Sequence, residues 1–328
     1  MTQRYSRLRP LSGGERFMLT QQAIHFFSAR KNEEMCQILG KAFTGVVQPL
    51  NTLDFIRYIG LANLLPESDR FTHRIEEHLT LLADRQILKT YGATGALWKS
   101  YLFFKELTNK ESSGWLWLSA ALGPEFIRSQ FASAIVQLCG RDTNNDVRSG
   151  TGLVIAPRLL LTCAHVVKGM QLDRTQEIYG SRFEVVHVHA HHDVDVAIVV
   201  TSTDLPLLQG MSLRDPRLSE EIFTLGFPRI PRTREPALLM HRGEITCESV
   251  IDFSGQQKVL YSAIARPGNS GGPIISSTGH VVGIVSESLE DQALGSVAPF
   301  YAGVRPTEIE SALSDLGYPN ILPIEDYS

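Results

Sequence analysis

Three segments of the chain carry residue types suited to nucleophilic catalysis. The first runs Gly150-Thr151-Gly152-Leu153-Val154-Ile155-Ala156-Pro157 and on to Leu161-Thr162-Cys163-Ala164-His165-Val166-Val167. It reads as a strand, a tight turn and a second strand that delivers His165 at an element's end. The second, Asp193-Val194-Asp195-Val196-Ala197-Ile198-Val199, sets an acid before a buried apolar run. The third, Pro267-Gly268-Asn269-Ser270-Gly271-Gly272-Pro273, brackets a serine with glycines. A serine hydroxyl is a poor nucleophile until a base takes its proton. His165 suits that role, and afterwards the role of acid to a leaving amine. A buried carboxylate, Asp193 or Asp195, would hold the imidazole tautomer and stabilise the imidazolium. The glycines let backbone N–H groups converge on one small space, as stabilisation of an oxyanion requires. The chemistry implied is acyl transfer through Ser270.

The elements that must position these groups change character near residue 130. Before it, apolar residues recur at helical spacing: Phe71, Ile75, Leu79 and Leu82; Leu97, Tyr101, Phe104 and Leu107; more loosely Leu53, Ile56 and Ile59. Residues 16–30 and 33–40 read as two further helices, so residues 1–130 are expected to be an all-α domain with little strand. After residue 130 the runs are short, β-branched and punctuated by Gly or Pro, at 134–138, 152–156, 184–189, 194–200, 221–226, 258–263 and 280–285. That texture predicts a sandwich or barrel over 131–328. One helix closes the chain, with Thr307 and Glu310 as a capping box and Gly317 at the C-terminal cap.

Composition sets outer limits. The 328 residues are 43% hydrophobic and 20% charged, ordinary values for a globular chain of two parts. The formal charge of −4 is too mild to imply a polyanion or a membrane partner. Residues 1–130 hold 16 basic and 12 acidic side chains, and the remainder 15 and 23. The four cysteines, Cys36, Cys139, Cys163 and Cys247, form no CxxC pair, so reduced thiols and no zinc site are expected. The first residues lead into no apolar signal segment, and no run is long enough to span a membrane. A cytoplasmic protein is the expectation.

The His165, Asp195 and Ser270 motifs, in that order, resemble those of the trypsin-like serine peptidases of the chymotrypsin fold. GNSGGP is similar to the bacterial high-temperature-requirement branch of that family. The resemblance covers about residues 131–328 and implies an α+β multidomain chain. Its second part would be an all-β double Greek-key barrel with a C-terminal helix, acting as a serine endopeptidase on a protein substrate. It selects Asp195 over Asp193, because Asp195 directly precedes Val-Ala-Ile-Val. It assigns the oxyanion hole to the amides of Gly268 and Ser270. It places Ile264, six residues before the nucleophile, at the base of the pocket for the side chain preceding the scissile bond, favouring an uncharged residue there. Ser286, Glu287 and Ser288 match the strand that pairs with substrate backbone. Glu287, Glu290 or Asp291 entering the pocket would instead favour a basic residue. Trypsin itself has Asp where this chain has Asn269, so activation by a new N-terminus is not expected. Neither a trypsin-like disulfide pattern nor a following PDZ module is seen.

Other motifs compete with this reading. His187, His189, His191 and His192 look like metal ligands, but the outer pair on one strand face lies about 13 Å apart at ~3.3 Å per residue, too far for one ion. No metal and no cofactor are expected. Leu11-Ser12-Gly13-Gly14-Glu15 resembles an ATPase signature, yet no phosphate-binding loop accompanies it; Ser12 or Gly13 better caps a helix. Cys163, two residues before His165, is expected to pack, with thiol sensitivity of the site as the alternative. Residues 1–130 are read as a protein-interaction or autoinhibitory module that binds a regulatory partner. The alternative is a winged helix tethering a protease to nucleic acid, with residues 75–88 as a helix leading to Lys89-Thr90-Tyr91 and 115–118 as a wing strand. Alternating charge in this segment disfavours nucleic acid. Another alternative is a catalytically quiet scaffold. Fusions of this kind resemble effectors of bacterial defence systems.

Overall fold

The computed structural model describes residues 9–92, 98–289 and 300–328. The chain divides into two compact units, Met1–Leu107 and Thr108–Ser328.

The first unit runs α1 (Gly13–Phe26), α2 (Asn32–Leu39), β1 (Leu50–Asn51), α3 (Thr52–Leu61), α4 (Thr72–Asp84), β2 (Lys89–Tyr91) and β3 (Ser100–Leu102). Ser12 caps α1 in a reciprocal box with Glu15, and Asn51 caps α3 with Asp54. The core is aromatic: Phe26 packs on Phe55 and Tyr58, and Phe27 on Tyr101. The expectation of an all-α domain is corrected, because β1, β3 and β2 form an antiparallel sheet in that order. The helix expected across Leu97, Tyr101, Phe104 and Leu107 is absent. Tyr101 is buried in the middle strand, paired with Leu50 and Thr90, while Phe104 stays exposed. Apolar spacing of three and four residues was coincidental there; Leu97 itself lies outside the described residues.

The second unit begins before the expected boundary at residue 130. Its leading helices are α5 (Asn109–Ser112), α6 (Ser119–Leu122) and α7 (Pro124–Ala132). Leu116, Ile127 and Phe131 belong to the main core of the β-rich body, which is why the units divide at Leu107 and Thr108. Leu116–Leu118, expected as a wing strand, is a 3-10 turn of this second unit.

Next come β4 (Ile135–Arg141), β5 (Val147–Ala156), β6 (Leu159–Thr162), α8 (Ala164–Lys168), β7 (Gln171–Leu172), β8 (Thr175–Ile178), β9 (Ser181–Ala190) and β10 (Ala197–Thr201). They build a seven-stranded sheet in the order β7-β4-β5-β6-β10-β9-β8. A side chain links β8, at one end of this sheet, to β4 near the other. Gln176 of β8 is buried, accepts from Cys139 N–H of β4 at 2.9 Å and donates to the Cys139 carbonyl at 2.9 Å. The remaining strands are β11 (Glu221–Gly226), β12 (Leu239–Ile251), β13 (Gln257–Tyr261), β14 (Pro273–Ser276), β15 (Val281–Leu289) and β16 (Phe300–Val304). They close a barrel in the order β11-β12-β13-β16-β15-β14.

The chain then forms α9 (Pro306–Asp315), whose Gly317 ends it with φ +88° while Tyr318 N–H reaches back to the Leu313 carbonyl. The capping box expected of Thr307 is not made; Pro306 opens the helix and Thr307 Oγ1 donates to Asp215. Among the described residues no helix is long and apolar enough to cross a membrane.

Candidate active site

Strand register brings the acid to the histidine. β6 ends at Thr162, and its neighbour β10 begins at Ala197, which pairs with Thr162. His165, on the short helix just past β6, and Asp195, just before β10, therefore emerge from the same end of two adjacent strands. Asp195 Oδ2 lies 2.8 Å from His165 Nδ1, and Oδ1 accepts the His165 backbone N–H at 2.9 Å. An ionised carboxylate only accepts, so Nδ1 carries the ring proton and Nε2 keeps its lone pair. Burial alone would raise the Asp195 pKa. The imidazole, then the Ser286 hydroxyl and the His165 N–H, outweigh that and hold the carboxyl well below its ordinary range. Asp193 stands outside this arrangement, with its carboxylate on His192.

The turn carrying Asp195 is shaped by a residue that looked like a metal ligand. His191 is buried, and its Nδ1 accepts the N–H groups of Asp193 and Val194. His187 and His189 lie on β9, with His189 edge-on to Tyr318. Among the described residues, the side chains grouped closely enough to share a metal ion are Cys163, His165 and Asp195. Burial, and then Asp195, push the Cys163 thiol well above its ordinary range, and Sγ–H donates to the Val285 carbonyl. A buried neutral thiol is neither a ready ligand nor a nucleophile.

Ser270 follows a tight turn. Asn269 N–H donates to the Arg266 carbonyl at 2.9 Å, with Pro267 and Gly268 at the centre and Gly268 at φ +103°. Pro followed by Gly with positive φ is the signature of a type II turn. A Cβ on Gly268 would lie 2.5 Å from the Phe227 carbonyl oxygen, so a larger residue fits neither the conformation nor the space. The N–H groups of Gly268 and Ser270 donate to no group among the described residues. Thr151 of β5 staples this turn to the seven-stranded sheet. Its N–H donates to the Ser270 carbonyl, its hydroxyl donates to the Gly268 carbonyl at 2.6 Å, and the hydroxyl accepts from Phe227 N–H. Asn269 is buried.

Ser286 joins the parts. Its hydroxyl donates to Asp195 Oδ2 at 2.6 Å, and its carbonyl accepts the Ser270 hydroxyl at 3.1 Å. Ser270 Oγ therefore rests on Ser286, and among the described residues no hydrogen bond joins it to His165. Nucleophile–base contacts in ligand-free sites tighten when substrate arrives. Ser286 sits at an irregularity of β15, where the ladder to β16 skips from Val285–Gly303 to Glu287–Ala302. The ladder from β14 stops at Ile284 and Val285 bonds on to Gly271 and Gly272, so among the described residues the β15 edge has no neighbouring strand on that side from Ser286 onward. The backbones of Glu287 and Ser288 lie on that edge; their side chains, and Glu290 and Asp291 altogether, fall outside the described residues.

His165, Asp195, Ser270, Ser286, Lys258, Ala265 and Arg266 line one cleft of about 430 Å³. Ile264, expected at the pocket base, is not among the residues lining this cleft. Tyr261 and Ala263 point into the barrel and Ala265 packs against the same core. Ile264 lies past the end of β13 and is 45% exposed. Sequence reasoning also missed Thr151, His191 and Lys258. Thr151 lay within the first motif and His191 among the histidines that look like metal ligands, but neither role was legible there.

Residues 150–284 match the family described as trypsin-like peptidase domain. Human serine protease HTRA4 is 29% identical over 164 residues, 48% of this chain and 34% of that protein. Serine protease Rv3671c of Mycobacterium tuberculosis is 29% identical over 151 residues, 45% of this chain and 38% of that protein. A crystal structure of Rv3671c protease in its active form aligns with a TM-score of 0.48 at 23% identity, covering 58% of this chain and 84% of that one. The chain spans about a third of the length of the curated relatives it matches. With the motifs and the strands in register, residues 150–284 are a trypsin-like peptidase domain homologous to the HtrA-type serine proteases.

Proposed function

We propose that the chain is a serine endopeptidase working through an acyl-enzyme on Ser270. The observation that carries the reading is Asp195 gripping both the ring and the backbone of His165, with Ser270 in the same cleft. Ser270 Oγ attacks a peptide carbonyl as His165 Nε2 takes its proton. The N–H groups of Gly268 and Ser270, otherwise without acceptors, receive the oxyanion. His165 then protonates the leaving amine, and water repeats the sequence to free the acid. The open edge of β15 at Ser286, Glu287 and Ser288 suits an extended substrate. The two strand orders support the finer double Greek-key architecture, since β7 lies beside β4-β5-β6 and β14 beside β11-β12-β13.

Residues 1–107 are read as a module for a regulatory protein partner. Their order, with α3 and α4 followed by the β2–β3 pair on one sheet with β1, is that of a winged helix. This favours the alternative of a nucleic-acid tether. The helix that would enter a groove is α4, however, and it carries Glu76, Glu77 and Asp84 against His73 and Arg74. His73 and Arg74 are already engaged by Glu77. Such a face repels phosphates, so a protein partner fits better. The link to bacterial defence remains an analogy of architecture.

The test is hydrolysis of an unfolded protein substrate by the full chain and by Ser270→Ala. The variant should lose at least about 10³-fold in rate. Substrate capture by both forms without turnover would favour the scaffold.

A further inference from the structure

A second cleft, of about 930 Å³, is lined by two segments that lead to the turn carrying Ser270. One wall includes Asp146, Arg148 and Ser149 at the start of β5. The other is residues 228–236, between β11 and β12. Both walls touch the catalytic turn. Arg229 N–H donates to the Pro267 carbonyl, and Thr151, two residues past Ser149, donates to the Ser270 carbonyl. A substrate strand held along β15 in the first cleft and continuing past Ser270 would reach the second cleft with the residues after the scissile bond.

Its charge is uneven. Arg148 is committed to Asp142 at 2.8 Å. The guanidinium groups of Arg229, Arg232 and Arg234 pair with no carboxylate among the described residues. Asp146 and Glu235 are the acidic side chains on the walls, so basic groups are in excess. The first cleft adds Arg266, while its Lys258 is committed to Asp252 at 3.9 Å and its Asp195 to His165. This basic tract stands out in a segment whose remainder is acidic: residues 131–328 hold 15 basic and 23 acidic side chains. Concave walls of one sign concentrate ligands of the other.

Resting on the endopeptidase reading, we propose that the substrate is an acidic peptide segment. Its Asp or Glu side chains, in the first few positions after the scissile bond, are received by Arg229, Arg232 and Arg234. These three are positioning and specificity residues; the reacting atoms remain those of Ser270 and His165.

The test separates binding from turnover. Fluorescent peptides with Glu, Gln or Lys in the positions after the scissile bond are titrated against full-length Ser270→Ala. A Ser270→Ala form also carrying Arg229→Gln, Arg232→Gln and Arg234→Gln is titrated alongside. The Glu peptide should bind about tenfold more tightly than the Gln peptide at low salt, and the triple change should erase the difference. The preference should shrink as salt rises. In wild-type protein, fluorophosphonate labelling should survive the three arginine changes while cleavage of the Glu peptide falls by a similar factor. Equal binding of all three peptides, no binding of any, or binding of a single-stranded oligonucleotide in place of the Glu peptide would overturn the proposal. Acid-selective binding without any cleavage would leave it standing and sink the endopeptidase reading instead.

Discussion

Ser286 holds two members of the catalytic set at once, through its hydroxyl on Asp195 and its carbonyl under Ser270. Ser286→Ala removes the first contact and keeps the second. A hydrogen bond to a charged group contributes about 1.5–3 kcal/mol, so kcat is expected to fall roughly 10- to 100-fold with KM little changed. Peptide hydrolysis measures this; an unchanged kcat would show that the imidazole alone positions Asp195. The lowered Asp195 pKa also has a sign for stability. The folded chain favours the ionised form, so the contribution is present above the ordinary carboxylate pKa of about 3.9 and is lost as pH falls toward the depressed value. Asp195 therefore stays charged across the mildly acidic range. The triad was legible because acid, base and nucleophile each sit in a short motif at an element's end. Ser286 was legible only as a strand residue, since nothing in a sequence says where a hydroxyl points.

At the scale of elements, Gln176 does with a side chain what strand pairing does elsewhere, tying β8 to β4 through both polar groups of Cys139. Gln176→Ala would strand the Cys139 N–H inside the sheet, while the Cys139 carbonyl keeps the Asp173 N–H. The expected loss is about 1–3 kcal/mol, read as a lower denaturant midpoint with an unchanged slope. No loss would mean that the sheet is held by its ladders alone. Elements with a strong local signal were read correctly from sequence, as with the Ser12 box on α1 and the left-handed Gly317 after α9. β3 was not, because Tyr101 is buried by Phe27 and by two flanking strands rather than by any local period. β12 also escaped, since much of its length is exposed and polar and its register is set by β11 and β13.

For the molecule as a whole, the peptidase body reaches back to Thr108 because Leu116, Ile127 and Phe131 complete its core. Residues 108–328 should fold cooperatively when expressed alone, whereas residues 131–328, lacking Leu116 and Ile127, should melt at clearly lower temperature or fail to fold. Deleting buried side chains of this size costs about 2–5 kcal/mol each, a large part of a domain's stability. Equal melting of the two fragments would restore the boundary at residue 130. The central claim is that Ser270, His165 and Asp195 form a working nucleophile. Fluorophosphonate labelling of the full chain tests it most directly, with the modified residue located by mass spectrometry. The account predicts one covalent adduct on Ser270, absent from Ser270→Ala and nearly absent from His165→Ala. No adduct on Ser270 in the folded protein, or labelling that survives loss of His165, would contradict it.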